Sequence, residues 1–355
     1  MLITRDKTKK IKVGNLEIGG GNPIAVQSMT KTNTADIDAT VAQIKALEDA
    51  GCQIVRCAVP DRESALALKE IKRQINIPLV ADIHFNHEYA LIAAEAGVDK
   101  LRINPGNIGD EDKIKAIVAA AKAHKIPIRV GVNSGSLERK IRQKYDGHVT
   151  AEGLVKSAMI NISLLEKFDF HDIVVSIKAT SVPTTIKAYE LIAKKIDYPL
   201  HVGLTEAGIP RVGIVRSGVG IGAVLAHGIG DTIRVSLTGD PVEEVRIGYE
   251  ILKSLELTFH GITVISCPTC GRTDIDVSKI ASEIEEKTRY IKQPLTVAIM
   301  GCEVNGPGEA ADADVGLAGG RGVGLIFREG EVVRKVPEAE MVAALLDEIE
   351  SMAIK

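Results

Sequence analysis

The sequence predicts an N-terminal (β/α)8 barrel followed by a small C-terminal α+β domain. Two observations indicate the barrel: β-rich runs alternate with amphipathic helical segments, and eight such units follow one another within roughly 250 residues. A third observation indicates the second domain, because the alternation stops near residue 258 and three of the five cysteines lie beyond it. The length of 355 residues suits two domains, which we place at 1–258 and 259–355.

Each predicted barrel strand follows a turn or proline signal. The predicted strands span 23–29, 54–59, 78–85, 100–104, 127–133, 172–179, 199–205 and 231–238. Several of the intervening helices begin at an Asp or Asn suited to an N-cap, and two end at Gly51 or Gly97. The fifth unit is the least regular because residues 135–150 insert an extra segment before its helix. An open α/β sheet therefore remains the alternative architecture.

The second domain is predicted from a different order of elements. It begins with a strand that ends at Cys267, followed by a helix near 276–291 and a strand over 294–301. A glycine-dense stretch, two short strands and a C-terminal helix from about Pro337 complete it.

Composition excludes several classes of protein. Lys and Arg number 44 against 47 Asp and Glu, a net charge of −3, so no global basic field indicates nucleic-acid binding. No apolar run approaches the roughly 18 residues of a membrane span, and the N-terminal residues show no secretory signal, so we expect a cytoplasmic protein. The five cysteines are unevenly placed and favour thiols or metal ligands over disulfides. An anion site, if present, must be local.

Polar residues recur at alternate positions late in the predicted strands. In a closed parallel barrel such positions face the lumen, and the active site lies at the carboxyl ends of the strands. The positions are Arg56, Asp82, His84, Arg102, Asn104, Arg129, Asn133, Ser176, Lys178, Arg234 and Ser236. The residues between them, Ile83, Ile103, Val130, Ile177 and Val235, are apolar and should face the helices.

The lumen-facing set carries an excess of positive charge. Five cations, Arg56, Arg102, Arg129, Lys178 and Arg234, oppose Asp82 and Glu206, which leaves a local charge of +3. An unpaired buried charge costs several kcal/mol, and guanidinium and ammonium groups are good phosphate ligands. We therefore predict that the lumen binds a diphosphate. The alternative is that some of these side chains form ion pairs between helices.

The cysteines of the second domain have the spacing of metal ligands. Cys267 and Cys270 form a CxxC motif after one predicted strand, and Cys302 follows the next. A third cysteine favours a metal site over a dithiol pair. Zinc would need a fourth ligand such as His260, whereas an iron–sulfur cluster could use Glu303 or Glu309; the spacing favours the cluster and leaves zinc open. Cys52 and Cys57 are predicted to be core thiols.

Short motifs spread over nearly the whole chain identify a known family. They are QSMT (27–30), VRCAVP (55–60), ADIHF (81–85), LRINPGN (101–107), RVGVNSGS (129–136), SIKA (176–179), HVGLTEAG (201–208), RVSLTGDP (234–241), SCPTCGRT (266–273) and GCEVNGPGEA (301–310). Together they resemble the bacterial 4-hydroxy-3-methylbut-2-enyl diphosphate synthase family of the non-mevalonate isoprenoid pathway.

The resemblance implies an activity, a cofactor and an assembly. The family opens the ring of 2-C-methyl-D-erythritol 2,4-cyclodiphosphate reductively, with loss of water, and yields 4-hydroxy-3-methylbut-2-enyl diphosphate. It uses one [4Fe–4S] cluster with electrons from ferredoxin or flavodoxin. The implied architecture is a substrate-binding barrel, a cluster domain and a head-to-tail homodimer in which one subunit's cluster caps the other's barrel.

The resemblance also assigns roles to residues of this chain. It makes Cys267, Cys270, Cys302 and Glu309 the cluster ligands. It makes Glu206 the acid near the reacting carbons, with Asp82 and His84 as further catalytic groups. The implied substrate ligands are Arg56, Arg102, Asn104, Arg129, Asn133, Lys178, Arg234 and Ser236.

Two other functions compete with this hypothesis. One is a phosphate-binding barrel protein with a structural zinc site and no redox role. The other is an electron carrier whose barrel serves only as a docking module.

Overall fold

The computed structural model describes residues 5–302 and 312–353. The chain divides into two compact units, Met1–Thr258 and Phe259–Lys355. Within the described ranges, no helix combines the length and the apolar character needed to cross a bilayer.

The first unit is a parallel β-barrel preceded by a short hairpin. The hairpin pairs β1 (Ile11–Val13) with β2 (Leu16–Ile18) in antiparallel fashion. The barrel strands are β3 (Ala25–Met29), β4 (Ile54–Ala58), β5 (Leu79–Ile83), β6 (Lys100–Ile103), β7 (Ile128–Asn133), β8 (Ile173–Lys178), β9 (His201–Val202) and β10 (Thr232–Ile233). They neighbour one another in the order β8-β7-β6-β5-β4-β3-β10-β9, and a parallel bridge between Val175 and Leu200 joins the two ends. The sheet is therefore closed, as the predicted barrel requires.

Helices cover the outside of the barrel. They are α1 (Ile37–Asp49), α2 (Arg62–Arg73), α3 (His87–Glu95), α4 (Pro105–Ile108), α5 (Glu111–His124), α6 (Arg139–Gln143), α7 (Ala151–Glu166), α8 (Val182–Ile192), α9 (Pro210–Ala226) and α10 (Pro241–Lys253). Side-chain caps fix many of their starts; Asp36, Asp61 and Thr150, for example, each accept a backbone N–H of the first turn. The extra segment of the fifth unit contains α6.

The apolar strand positions face these helices, as predicted. Ile83, Ile103, Val130, Ile177 and Val235 all belong to the main hydrophobic cluster of the barrel and are at most 1% exposed. Cys52 and Cys57 are buried in the same cluster and are core thiols. Because successive strand residues point to opposite faces, the polar residues between these positions face the lumen.

The N-terminal hairpin fills the amino end of the lumen. Its residues Ile11, Val13 and Ile18 form a separate apolar cluster with early, lumen-facing strand residues, namely Ala25, Ile54, Val80 and Val174. The hairpin was not predicted from the sequence, since strands of three residues are too short to show a clear alternation.

The last two barrel strands are shorter than predicted. β9 and β10 cover two residues each, against predicted runs of 199–205 and 231–238. The chain still follows the barrel beyond the assigned ladder, because the Arg234 amide donates to the Val202 carbonyl at 2.9 Å.

Within its described residues, the second unit contains a five-stranded sheet and two α-helices. Its elements are β11 (Ile262–Ser266), α11 (Val277–Lys287), β12 (Leu295–Met300), β13 (Val315–Gly320), β14 (Val323–Arg328), β15 (Glu331–Pro337) and α12 (Met341–Ala353). The strands lie in sequence order, with β11, β12 and β13 parallel and the last two antiparallel.

The strand β13 was missed in the sequence analysis because glycine is a poor strand former. The structure explains its glycines by close packing. A Cβ on Gly316 would lie 2.3 Å from the Phe327 ring, and one on Gly319 would lie 2.6 Å from Ile275.

Candidate active site

The predicted cations converge inside the barrel. Arg56, Arg102, Arg129 and Lys178 are at most 9% exposed, and the Arg234 side chain is 14% exposed. The strand register explains part of this convergence, since Asp82 pairs with Arg102 and Arg102 pairs with Arg129 on three adjacent strands. The structure therefore brings together cationic side chains from five of the eight strand units in one buried space.

Asp82 is the anionic centre of this cluster. Its carboxylate accepts a hydrogen bond from Arg102 Nη1 at 2.9 Å and lies 3.6 Å from Arg56 Nε and 3.4 Å from His84 Nε2. Burial alone would raise the pKa of Asp82, but Arg56 and Arg102 outweigh it and hold that pKa well below its usual range. Asp82 is therefore ionised and already committed to two guanidinium groups.

The remaining cations exceed the acids available to them. Arg129 is 1% exposed, and its Nε and Nη1 have no hydrogen-bond partner among the described atoms; the same holds for Nε of Arg102 and Arg234. Burial, reinforced by the neighbouring cations, lowers the pKa of Arg129 and of Lys178 well below their usual ranges. Unpartnered buried donors are costly, so this lumen suits an additional anion.

Two further lumen residues were not among the predicted site residues. Lys100 is fully buried, and its Nζ has no partner among the described atoms. His201 is also fully buried, with Nε2 at 3.3 Å from Lys178 Nζ. Both lie at lumen-facing positions two residues before Arg102 and Gly203, so the same alternation that predicted the other residues could have found them.

The second buried acid near the cations is Glu244, which the sequence analysis did not single out. Its carboxylate, in the first turn of α10, lies 3.3 Å from Arg234 Nη2 and 3.1 Å from Lys31 Nζ. It also accepts hydrogen bonds from the Ser28 hydroxyl and the Leu237 amide. Glu244 therefore ties the end of β3 to the segment that follows β10.

Glu206, by contrast, is exposed and does not lie among the buried cations. Its backbone has a φ of 57°, and its carboxylate accepts a hydrogen bond from the Thr180 hydroxyl at 3.0 Å. It lines a cavity of about 310 Å³ at the carboxyl ends of β7, β8 and β9, together with Ser134, Arg142 and Thr180. The expected charge balance in the lumen is thus wrong in one respect, because Glu206 contributes no buried charge there.

The remaining predicted residues lie near the same carboxyl ends. Asn104 is buried and caps α4 by accepting the Gly106 amide, while its Nδ2 donates to the Ser136 hydroxyl at 3.3 Å. Asn133 and Ser236 are half-buried, and His84 is half-exposed. These polar groups surround the upper part of the cationic lumen.

Two glycines provide the space that the cations occupy. A Cβ on Gly131 would lie 2.5 Å from Arg102 Nε, and one on Gly203 would lie 2.8 Å from Lys178 Nζ. Real Cβ atoms essentially never approach so closely. Glycine at these lumen positions is therefore part of how the cations are placed.

The three thiols of the second unit follow two neighbouring parallel strands. Cys267 comes directly after β11, and Cys302 lies two residues after β12, with Ser266 paired to Ile299. Both strands therefore deliver a cysteine at the same end of the sheet. The Gly301 amide donates to Cys267 Sγ at 3.2 Å, so one thiol already accepts a backbone hydrogen bond.

A hydrogen bond between the backbone of Cys270 and the side chain of Thr273 closes the turn that follows the CxxC motif. The Cys270 amide donates to the Thr273 hydroxyl at 3.0 Å, and Thr269 adopts a φ of 61°. Hydrogen bonding from Arg272 lowers the pKa of the exposed Cys270 thiol. The exposed Cys270 thiol with its lowered pKa, and the backbone N–H that donates to Cys267 Sγ, are features expected of cysteines that bind an iron–sulfur cluster.

The complete ligand set is not seen in the described residues. Among them, no three His, Cys, Asp or Glu side chains are grouped so that they could hold a metal ion. The expected fourth ligand, Glu309, and the neighbouring Glu303 lie outside the described residues.

A closed parallel barrel with an unbalanced cationic lumen, linked to a domain with three free thiols, defines a class of protein: a (β/α)8 enzyme for anionic substrates with a metal-ligand domain. Comparison with known families identifies which one. The GcpE TIM-barrel domain matches residues 8–249, and the GcpE protein C-terminal domain matches residues 263–351. The chain belongs to the GcpE family.

Relatives of high identity support this assignment. A protein of Geobacillus thermodenitrificans is 58% identical over 352 residues, covering 99% of this chain and 94% of its own. One of Caldanaerobacter subterraneus is 57% identical and covers 99% of each chain. Both are called 4-hydroxy-3-methylbut-2-en-1-yl diphosphate synthase (flavodoxin). The family identified from the sequence motifs is confirmed, as is its class, a [4Fe–4S] oxidoreductase of isoprenoid biosynthesis. The structural-zinc alternative gains no support.

Solved structures support the barrel fold alone. Dihydropteroate synthases from Stenotrophomonas maltophilia and Xanthomonas albilineans cover 70% of this chain and nearly all of their own, with TM-scores of 0.52 and 0.51. Their identities are 14% and 12%. This likeness extends only to the fold, and it favours the barrel over the open sheet.

Proposed function

We propose that this chain converts 2-C-methyl-D-erythritol 2,4-cyclodiphosphate to 4-hydroxy-3-methylbut-2-enyl diphosphate in the non-mevalonate pathway. The observation that carries the proposal is the cationic lumen, where buried guanidinium nitrogens of Arg102, Arg129 and Arg234 find no hydrogen-bond partner in the described part of the chain. In the reaction a ring C–O bond breaks, two electrons enter, and a hydroxyl group leaves as water.

In this proposal the cations bind the diphosphate. Arg129 and Lys178 are buried beside other cations, so a bound diphosphate would stabilise the ionised forms that burial disfavours. Arg56 and Arg102 remain anchored to Asp82 and present their other edges to the substrate. Asn104, Asn133 and Ser236 add neutral hydrogen-bonding groups.

Three residues serve the proton and hydroxyl chemistry. Asp82 holds His84 at 3.4 Å, and this pair can orient a substrate hydroxyl. Glu206 stands exposed at the carboxyl end of β9, with Thr180 fixing one carboxylate oxygen. That position suits a group that supplies or positions the proton for the departing hydroxyl.

The thiolates of Cys267, Cys270 and Cys302, with Glu309 as the fourth ligand, would hold the [4Fe–4S] cluster. When bound, the cluster supplies single electrons and a Lewis-acidic iron. The backbone N–H at Cys267 stabilises thiolate charge in that site. We infer that flavodoxin is the electron donor, as the names of the relatives indicate, and ferredoxin remains the alternative. A cytoplasmic location suits the five free cysteines.

Two variants test the assignment of roles. Cys270→Ala should lose the brown chromophore and the activity together, because the cluster would lack a ligand. Glu206→Gln should keep the chromophore, iron content and substrate affinity but lose most turnover. Anaerobic reconstitution, iron and sulfide analysis, and turnover of the cyclic diphosphate with a chemical reductant measure these outcomes. Full activity of Cys270→Ala would contradict the cluster assignment, and one zinc with no iron would favour a structural metal.

We further propose the head-to-tail homodimer. Mixing Lys178→Ala with Cys270→Ala chains tests it, because one subunit's intact barrel would then meet the other subunit's intact cluster. A random mixture should recover about a quarter of the wild-type activity if each site uses two subunits. No recovery, with mixed dimers demonstrated, would mean that barrel and cluster act within one chain.

A further inference from the structure

His201 forms a buried hydrogen-bonded chain with its neighbours in the lumen. Its Nε2 lies 3.3 Å from Lys178 Nζ, and its Nδ1 lies 2.8 Å from the Thr232 hydroxyl oxygen. All three residues are at most 6% exposed. The contacts follow from the barrel itself, since Thr232 pairs with His201 in the parallel register of β10 and β9.

The chain of contacts determines the tautomer of the ring. When Lys178 is an ammonium, as it would be against a bound diphosphate, it can only donate, and Nε2 then accepts from it. The proton of the neutral imidazole then lies on Nδ1, which donates to the Thr232 hydroxyl. Burial, followed by the nearby Arg129 and Lys178, holds the pKa of His201 well below its usual range, so the ring is neutral.

The backbone fixes the position of the ring. The Tyr189 hydroxyl donates to the His201 carbonyl at 2.5 Å and accepts the Ile177 amide at 3.2 Å. On the other side, Gly203 leaves room for the lysine ammonium. The imidazole and the ammonium are therefore held together by two strands and one helix.

The groups that face this pair are cationic. Arg56, Arg102, Arg129 and Arg234 act electrostatically on Lys178, and Lys100, Arg56 and Arg129 act on His201. A carboxylate beside Lys178 would neutralise the charge of the ammonium. A neutral imidazole accepts a hydrogen bond from the ammonium and leaves its full positive charge available to a phosphate group.

We propose that His201 is a positioning residue for Lys178: its imidazole, oriented by Thr232, accepts a hydrogen bond from the ammonium and directs it at the diphosphate. This role rests on the proposed function, in which Lys178 is a substrate ligand.

Calorimetric titration of the full-length protein with the cyclic diphosphate, repeated from pH 6 to about pH 9.5, tests the role. His201→Leu removes the acceptor and should weaken binding by about tenfold or more at neutral pH. The loss of binding on the alkaline side should begin at lower pH, because an ammonium without its acceptor releases its proton more readily. His201→Gln, which can still accept, should retain more affinity than His201→Leu.

Thr232 provides a second, milder probe in case His201→Leu does not fold. Thr232→Val removes the partner of Nδ1 and should shift the alkaline limb in the same direction, whereas Thr232→Ser should shift it less. His124→Leu, on the exposed last turn of α5, controls for loss of a histidine elsewhere.

The outcomes separate this role from the function it rests on. If the wild-type protein fails to bind the cyclic diphosphate, both the proposed function and the positioning role of His201 are refuted. If the wild-type protein binds and the His201 and Thr232 variants show its affinity and pH profile, only the positioning role is overturned. Weaker binding with an unshifted alkaline limb would also overturn it, since a purely structural defect lowers affinity equally at each pH.

Discussion

Replacement of Gly131 by alanine should displace the Arg102 side chain although no charged residue is substituted. The new Cβ would lie 2.5 Å from Arg102 Nε, 2.9 Å from Nη2 and 3.1 Å from Cζ. Ordinary contacts begin near 3.4 Å, so the guanidinium must retreat by about 0.9 Å. It has little room, because the Arg102 side chain is 5% exposed and Nη1 is bound to Asp82 at 2.9 Å.

The cost follows from the hydrogen bond between Arg102 and Asp82, which must distort. A displacement of about 0.9 Å is large against a bond of 2.9 Å between two buried side chains, so its length and angle cannot both be kept. Loss of a hydrogen bond between charged groups costs about 1.5–3 kcal/mol, which corresponds to roughly 10- to 100-fold in affinity if Arg102 binds the diphosphate. Overpacking should also lower the free energy of unfolding by about 1–3 kcal/mol.

Calorimetry with the cyclic diphosphate and urea unfolding measure the two effects. Gly135→Ala is the matched control, because a Cβ there meets nothing within 4 Å. Wild-type affinity and wild-type stability of Gly131→Ala would refute the reasoning, since the barrel would then accommodate the methyl group without moving the ion pair.

Two further predictions concern buried charges. Glu244→Gln should lower the free energy of unfolding by about 2 kcal/mol, because Arg234 and Lys31 lose a charged acceptor; Glu243→Gln, whose side chain is half-exposed, is the control, and equal urea midpoints for the two variants would contradict the expectation. Lys100→Met should stabilise the protein by about 1–4 kcal/mol at neutral pH, because burial lowers the pKa of Lys100 well below its usual 10.5 and the folded state disfavours the charged form. The unfolded chain binds this proton up to about pH 10.5, so wild-type stability should rise with pH and the advantage of methionine should shrink towards that value; an advantage independent of pH would point to packing instead.

The alternation of strand residues predicts which side chains face the lumen, but not which of them matter for the site. Arg56, Arg102, Arg129 and Lys178 were placed in the lumen from the period-two pattern, and the same pattern covers Lys100 and His201. Those two were not predicted as site residues, because the sequence around a single lysine or histidine on a strand does not show which side chains will surround it. Their importance depends on which neighbours face them across the barrel.

Pairing of acids with cations required the tertiary structure. Glu206 directly follows the predicted strand 199–205 and was expected beside the cations, yet its carboxylate is exposed and accepts a hydrogen bond from Thr180. Glu244 lies on a helix 10 residues after Arg234, and it reaches the cluster because the first turn of α10 folds back over the end of β10. The hydrophobic periodicity of α10 does not show that one of its acidic residues is buried against the end of a strand.

The sequence by itself determined the alternating barrel units, the lumen-facing positions of the cations and the cysteine motifs that belong to the GcpE family, because each is written in local spacing. Only the tertiary structure decided that a hairpin of two three-residue strands fills one end of the lumen, that Glu244 rather than Glu206 balances the buried charge, and that an imidazole lies beside Lys178. These contacts join residues far apart in the chain, and their energies depend on burial and distance, which local spacing does not encode.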